Sequence, residues 1–171
     1  NNGGGVYVRD LESDRPSRIY ARDLDETWSV DFAPEGDVLV AGENTRKRMP
    51  EELAGSVSLV FQTPEEMFIA DSVRGDVEYH PRAVGRENPE ELARETMERF
   101  ALTELAERDA RLLSGGQQRR VSMAIGAVSH PEVMMMDEPT SSLDIANKRD
   151  VMAMLEELSG WVKTAVIATH D

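Results

Sequence analysis

A short apolar run that ends in two acids and a proline constrains this chain more than any other feature. Residues 133–136 read Val-Met-Met-Met, and Asp137-Glu138-Pro139 follows them directly. Uniformly apolar runs are typical of strands that are buried on both faces of a parallel sheet. Proline ends such a strand because it has no N–H to continue the ladder. The run therefore predicts an α/β fold built on a parallel sheet.

The two acids lie where open α/β sheets bind their ligands, just beyond the carboxyl end of a strand. Asp137 is suited to hold a magnesium ion through water, and Glu138 is suited to orient or deprotonate an attacking water. An ordinary strand end with two solvated acids fits the same residues. By itself, the pair leaves both interpretations open.

A glycine-bearing helix start precedes this strand. Ser114 is a good N-cap, and Gln117 completes the spacing of a capping box. Free N–H groups at a helix start form an anion site, and Gly115 and Gly116 let a ligand approach. A plain helix cap is the simpler interpretation of Ser-Gly-Gly alone. The full string Leu-Ser-Gly-Gly-Gln-Gln-Arg-Arg (113–120), followed by an acidic strand, is a more specific indication of an anion site. The inward side of the helix is predicted to carry Val121, Met123, Ala124, Ala127 and Val128.

Five segments, taken in order along the chain, resemble the motifs of the ATP-binding cassette (ABC) ATPases. They are similar to the Q-loop (59–65), the signature motif (113–117), the Walker B strand with its catalytic glutamate (133–140), the D-loop (141–144) and the switch-histidine loop (168–171). The similarity runs from about Gly36 to the last residue. It implies an α/β fold of the P-loop NTPase type, with a helical lobe inserted between the Q-loop and the signature motif.

The resemblance also implies a catalytic centre that uses ATP and Mg²⁺. Glu138 would polarise the attacking water, and His170 would contact the γ-phosphate. Asp137 would hold Mg²⁺ through water, with Gln62 as a sensor of the ion and of the membrane partner. Taken alone, His170 could equally be a surface histidine at a strand end, and Gln62 a polar residue that closes a strand.

A second ABC ATPase subunit is implied as well, identical or different. The signature residues Ser114, Gly115, Gly116 and Gln117 would bind the γ-phosphate of ATP held by that subunit in a head-to-tail dimer. Asp144 would couple the two sites across the interface. A transmembrane transporter subunit is the other implied partner, which places the chain in the cytoplasm, peripheral on the cytoplasmic face of the cell membrane.

The sequence contains no phosphate-binding loop of the form G-x-x-x-x-G-K-[ST]. Its lysines are Lys47, Lys148 and Lys163, and none lies in such a setting. Residues 10–36, where relatives carry this loop, are polar and acidic and have no glycine before Gly36. We therefore expect a domain that is truncated or degenerate in its N-terminal part.

We expect one partial ABC ATPase domain over residues 1–171. Its predicted parts are an atypical N-terminal segment (1–35), core strands with the Q-loop (36–62), the helical lobe (63–112) and a final part with the signature helix, Walker B strand, D-loop and switch histidine (113–171). The predicted helices cover 64–70, 88–107 and 145–158, and the predicted strands cover 6–8, 28–32, 37–41, 56–61 and 164–168. In the second helix, Asn88 is the expected cap and Pro89 the first helical residue.

Bulk properties narrow the classes of function. The formal net charge of −14 argues against nucleic acid as a partner. An ordinary acidic cytosolic protein fits this charge, but the scarcity of lysine beside the excess of acids favours a protein kept soluble in concentrated salt. The chain has no cysteine, so disulfides and cysteine-bound zinc are excluded. No apolar run approaches the roughly 20 residues that span a bilayer, and no signal peptide is visible.

The leading hypothesis is an ATP-hydrolysing subunit that energises an ABC importer. Residues 61–68 together with 71–77 resemble the energy-coupling factor (ECF) type, importers of vitamins and of cobalt or nickel ions. Met67 and Phe68 would then either line a groove for the membrane subunit or belong to the core of the lobe. The alternative is a catalytically inactive ABC-like partner that supplies only the signature motif in trans. A soluble ABC protein of DNA repair or translation is disfavoured by the acidic charge and the short lobe.

Overall fold

Eight strands form two sheets in the part of the chain that the computed structural model describes, namely residues 7–9, 16–23, 30–32, 38–40, 43–44, 47–137, 153–154, 158, 161–162 and 164–169. The strands are β1 (Tyr7–Arg9), β2 (Pro16–Asp23), β3 (Val30–Phe32), β4 (Val38–Val40), β5 (Glu43–Asn44), β6 (Val57–Val60), β7 (Val133–Asp137) and β8 (Thr164–Thr169). The main sheet has the order β1-β2-β8-β7-β6, and β3-β4-β5 form a second, antiparallel sheet.

The centre of the main sheet is parallel, as the apolar run predicts. β7 pairs in parallel with β6 on one side and with β8 on the other, so that Met135 lies between Leu59 and Val166. β2 adds to β8 in the antiparallel sense and carries β1 at the sheet edge. The sequence analysis did not predict β2, whereas the other strands of this sheet lie within one or two residues of their predicted positions.

Four α-helices have described bounds: α1 (Pro50–Leu53), α2 (Val73–Ala83), α3 (Pro89–Arg99) and α4 (Gly115–Ala127). α4 packs on the main sheet at very close range. A Cβ added to Gly126 would lie 2.7 Å from Val60 Cγ2 and 2.8 Å from Met134 Cε. Glycine at this position therefore lets the helix backbone approach β6 and β7 more closely than any other residue would allow.

β7 is buried only in part on its second face, where Val133 is buried and Met135 is not, and this corrects the prediction of burial on both faces. Side chains alternate between the two faces of a strand, and α4 covers the face that carries Met134 and Met136. Met135 points to the other face and is 38% exposed, and its neighbour Leu59 is 43% exposed.

The predicted helix over 64–70 is wrong, because only a 3-10 turn forms, over Pro64–Met67. Oδ1 of Asp76 accepts hydrogen bonds from the backbone N–H groups of Ile69 and Ala70, both at 2.7 Å, and so holds them away from helical pairing. Instead α2 begins at Val73, with Ser72 as its cap. The sequence analysis missed α2, whose interior includes the poor helix formers glycine and proline.

The second predicted lobe helix ends early. α3 stops at Arg99 because Ala101 adopts a left-handed backbone with φ of 51°, and a 3-10 turn follows over Thr103–Leu105. Pro89 is the first helical residue, as predicted. Asn88 occupies the N-cap position, but its φ is 52° and its side chain makes no capping hydrogen bond. The left-handed conformation, which asparagine tolerates, accounts for its place there.

One hydrophobic core joins the lobe to the sheet. Phe68 is 6% exposed and belongs to this core, and Met67 packs against it, so neither residue forms an exposed groove. Within the described residues, no helix is long and apolar enough to cross a membrane. The predicted helix over 145–158 lies largely outside these residues, and the predicted division of the domain at residues 36, 63 and 113 stays a prediction.

Candidate functional site

The start of α4 forms the reciprocal cap that the sequence predicts. The backbone N–H of Ser114 donates to Gln117 Oε1 at 3.1 Å, and the N–H of Gln117 donates to Ser114 Oγ at 3.4 Å. Ser114 and Gly115 are exposed, and a Cβ added to Gly115 would meet no atom within 4 Å. The space in front of this helix start is therefore open to a ligand.

The electrostatics of this helix start favour an anion. A helix carries a partial positive charge at its N-terminus, and no acidic residue in the first turn of α4 offsets it. The segment before the cap is also fixed, because the buried amide of Gln118 donates to the carbonyl oxygens of Ala110 and Arg111 at 3.3 and 3.2 Å. Backbone N–H groups held in this way are suited to a phosphate.

Asp137 and Gln62 lie at the same edge of the parallel sheet. β6 and β7 run in the same direction with Val60 opposite Met136, so both side chains follow the last paired position. Both residues are exposed. The described residues contain no cluster of three or more acidic, histidine or cysteine side chains that could hold a metal ion. Mg²⁺ keeps several of its waters and usually needs only one or two carboxylates beside phosphate oxygens, so Asp137 alone suffices to hold that ion through water.

Three predicted site residues, Glu138, Asp144 and His170, lie outside the described residues. Their roles stay predictions from the resemblance. The structure brings Gln62 and Asp137 to one sheet edge, and it places Ser114, Gly115, Gly116 and Gln117 together at the start of α4.

Arg119 is a candidate site residue whose role the sequence analysis missed. It is only 4% exposed, and its guanidinium reaches back to the end of β6. Nη1 donates to the carbonyl oxygen of Phe61 at 3.0 Å, and Nη2 donates to that of Gln62 at 2.7 Å. Burial lowers the pKa of this guanidinium. The sequence did indicate that Arg119 is buried, because Ser122, Met123 and Gly126 follow it at helical spacing on the same buried face of α4.

The fold and the site define an α/β protein with an open anion site at a helix start beside a parallel sheet, and comparison with known proteins gives the family. Residues 28–141 match the family described as ABC transporter. The energy-coupling factor transporter ATP-binding protein EcfA1 of Lacticaseibacillus paracasei is 35% identical over 144 residues, which are 82% of this chain and 52% of that protein.

Solved structures agree with the family match. CbiO1 from Clostridium perfringens, described as part of the ABC transporter complex CbiONQ, has a TM-score of 0.67 and 30% identity over 80% of this chain and 56% of that one. The ATP-binding cassette MJ0796, solved as a dimer in a post-hydrolysis state with ADP and Pi, has a TM-score of 0.64 and 27% identity, covering 82% of this chain and 65% of its own.

The chain belongs to the ABC transporter ATP-binding family, which has the P-loop NTPase fold. It spans 24% of the length of one curated relative and 52% to 57% of two others.

Proposed function

We propose that this chain is part of the ATP-binding and ATP-hydrolysing subunit of an ABC importer of the ECF type. The observation that carries the proposal is the exposed start of α4, where Ser114 and Gly115 present a capped, uncompensated helix N-terminus. An open site of this kind suits the terminal phosphate of a nucleotide. Its place before β7 and the acid at the end of that strand is the order found in the family.

The site works across a head-to-tail dimer of two such subunits. ATP supplies the phosphoryl group that is transferred to water. Ser114, Gly115 and Gly116, with Gln117, bind the γ-phosphate of ATP held by the partner subunit, and Asp144 couples the two sites. The dimeric structure of MJ0796 with ADP and Pi supports this arrangement.

The remaining residues position the ion and the water. Asp137 holds Mg²⁺ through water, and Gln62 senses the ion from the same sheet edge. Glu138 orients the attacking water, and His170 stabilises the charge on the phosphate. Each of these roles is positioning or charge stabilisation, on which phosphoryl transfer mostly depends.

A membrane subunit is the second partner in this proposal, with the chain bound on the cytoplasmic face of the membrane. The similarity to EcfA1 and to CbiO1, part of the CbiONQ complex, supports it. The formal net charge of −14 argues against nucleic acid as a partner.

A second candidate function rests on the sequence, which contains no phosphate-binding loop. In this second function the chain has no phosphate-binding loop with which to bind ATP itself. It offers Ser114, Gly115 and Gly116 to the ATP of another subunit and acts as an inactive partner.

The test is ATP binding and hydrolysis by the purified chain with Mg²⁺ in concentrated salt, beside a Glu138→Gln variant. Turnover that this substitution abolishes supports the hydrolytic subunit. No binding and no turnover would reject hydrolysis by this chain alone. The inactive-partner function then predicts that adding the chain raises the ATPase activity of an ABC subunit that carries a phosphate-binding loop.

A further inference from the structure

The segment that connects β6 to α2, residues 61–71, is held at its first end by Arg119. The two terminal nitrogens of one guanidinium donate to two consecutive carbonyl oxygens, those of Phe61 and Gln62, at 3.0 and 2.7 Å. Arg119 belongs to α4, whose exposed start carries Ser114. One side chain thus joins the helix of the phosphate-binding motif to the backbone of Gln62.

The other end of the same segment is held by Arg111, which precedes Ser114 in the chain. Its Nη2 lies 3.1 Å from the carbonyl oxygen of Ala70 and 3.3 Å from Asp71 Oδ1. Asp109 fixes this guanidinium through contacts of 2.8 and 3.0 Å. Two arginines, one before and one after Ser114, therefore hold the two ends of residues 61–71.

Stability alone does not account for Arg119. Taking a cation out of water is costly, and among the described residues Arg119 has no paired carboxylate and its Nε has no hydrogen-bond partner. An apolar side chain of similar length would fill the space without that cost. What the guanidinium provides is geometry, because its planar fork fixes two acceptors at once and an ammonium group does not.

We propose that Arg119 is a positioning residue that makes the backbone at Gln62 follow the start of α4. A displacement of Ser114, Gly115 and Gly116 is then transmitted through the guanidinium to Gln62, at the sheet edge where Asp137 also lies, and Arg111 moves the far end of the segment with it. Where ATP is concerned, this inference rests on the proposed function. The mechanical link itself is a property of the described residues and is testable without nucleotide.

The test uses the absence of cysteine from the chain. A cysteine in place of the exposed Thr63, next to Gln62, carries a nitroxide spin label in the full chain, and its electron paramagnetic resonance spectrum reports local mobility. Arg119→Gln should abolish the restricted component of the spectrum, and Arg119→Lys should weaken it. Arg94→Gln is the matched control, because Arg94 is an exposed arginine whose ion pairs within the described residues are with Glu91 and Glu98 on its own helix.

An unchanged spectrum in folded Arg119→Gln would overturn the proposal. If Arg119→Gln does not fold, Arg119→Lys decides, since it keeps the charge and loses the fork: a mobile label supports the link and an immobile one rejects it. Where the parent chain hydrolyses ATP, Arg119→Lys should lower kcat with little change in KM for ATP. Absence of turnover in the parent would count against the proposed function alone, because the spin-label result stands independently.

Discussion

Ser114 and Gln117 each accept the hydrogen bond of the other's backbone N–H at the start of α4. The acceptors are the side-chain oxygens, at 3.4 Å for Ser114 and 3.1 Å for Gln117. Both bonds lie at the exposed end of a helix that is otherwise buried over most of its length. The cap therefore holds the proposed phosphate-binding motif in shape before any ligand arrives.

Ser114→Ala and Ser114→Asp separate the cap from the anion site. Alanine removes the capping oxygen and should lower the free energy of unfolding by about 1 kcal/mol. Aspartate is an equally good cap, so its stability should stay near that of the parent, but its charge should repel a phosphate at the same place. Chemical denaturation and nucleotide-dependent dimerisation measure the two effects. Unimpaired dimerisation of the aspartate variant would contradict the anion-binding role.

Gly126→Ala tests the close approach of α4 to the sheet. The added Cβ would lie 2.7 Å from Val60 Cγ2, so helix or strand must shift. Overpacking costs about 1–3 kcal/mol, more than the ~1 kcal/mol that alanine gains over glycine in a helix. Gly55→Ala is the control, because a Cβ there meets no atom within 4 Å. Equal free energies of unfolding of the two variants in urea would show that the side chains around Gly126 accommodate the added Cβ without loss of stability.

Asp76→Asn should remove a pH dependence of stability in the acidic range. Burial raises the pKa of the Asp76 carboxyl; the N–H donors of Ala70 and Ile69 and the charge of Arg111 lower it by less, and Asp109 adds to the rise. The folded chain therefore holds this proton more tightly than the unfolded chain. Stability contributed by the protonated carboxyl falls as the pH rises from about 4 through the raised pKa, and is constant above it.

The measurement for Asp76 is the difference in unfolding free energy between parent and Asp76→Asn across that pH range. Asparagine keeps an oxygen for the N–H groups of Ile69 and Ala70 and carries no charge. The free energy of unfolding of the variant should increase relative to that of the parent as the pH rises. A difference that is flat with pH would show that the carboxyl titrates alike in both states.

Added salt should stabilise the chain. With a formal net charge of −14, repulsion between like charges opposes the compact state, and salt screens it. Exposed pairs such as Arg94 with Glu91 and Glu98 also weaken in salt, but such pairs contribute little. The midpoint of urea unfolding should therefore rise between about 0.1 and about 1 M KCl. A falling midpoint would mean that ion pairs outweigh the net repulsion.

The sequence analysis correctly predicted the features that a few neighbouring residues determine. The capping box at Ser114, the strand that ends at Asp137 and the start of α3 at Pro89 all follow from a few adjacent residues. The buried side of α4 follows from its helical period. These elements form the candidate site, and for that reason much of it could be predicted from the sequence.

The features that depend on distant residues could not be predicted in this way. The helix expected over 64–70 does not form because Asp76 takes its N–H groups, and nothing within those residues indicates it. The exposure of Met135 depends on which face α4 covers. The bond from Arg119 to Gln62 joins residues 57 positions apart, beyond any local pattern.

The close seat of Gly126 on Val60 and Met134 also limits how α4 can move. If the helix slid along its axis or rolled, a neighbouring residue with a Cβ would come over Val60 and collide with it. The remaining freedom is to tilt together with β6 and β7 as one body. The glycine contact therefore fixes the register of the helix on the sheet, and with it the place of Ser114 relative to the strand that ends at Asp137.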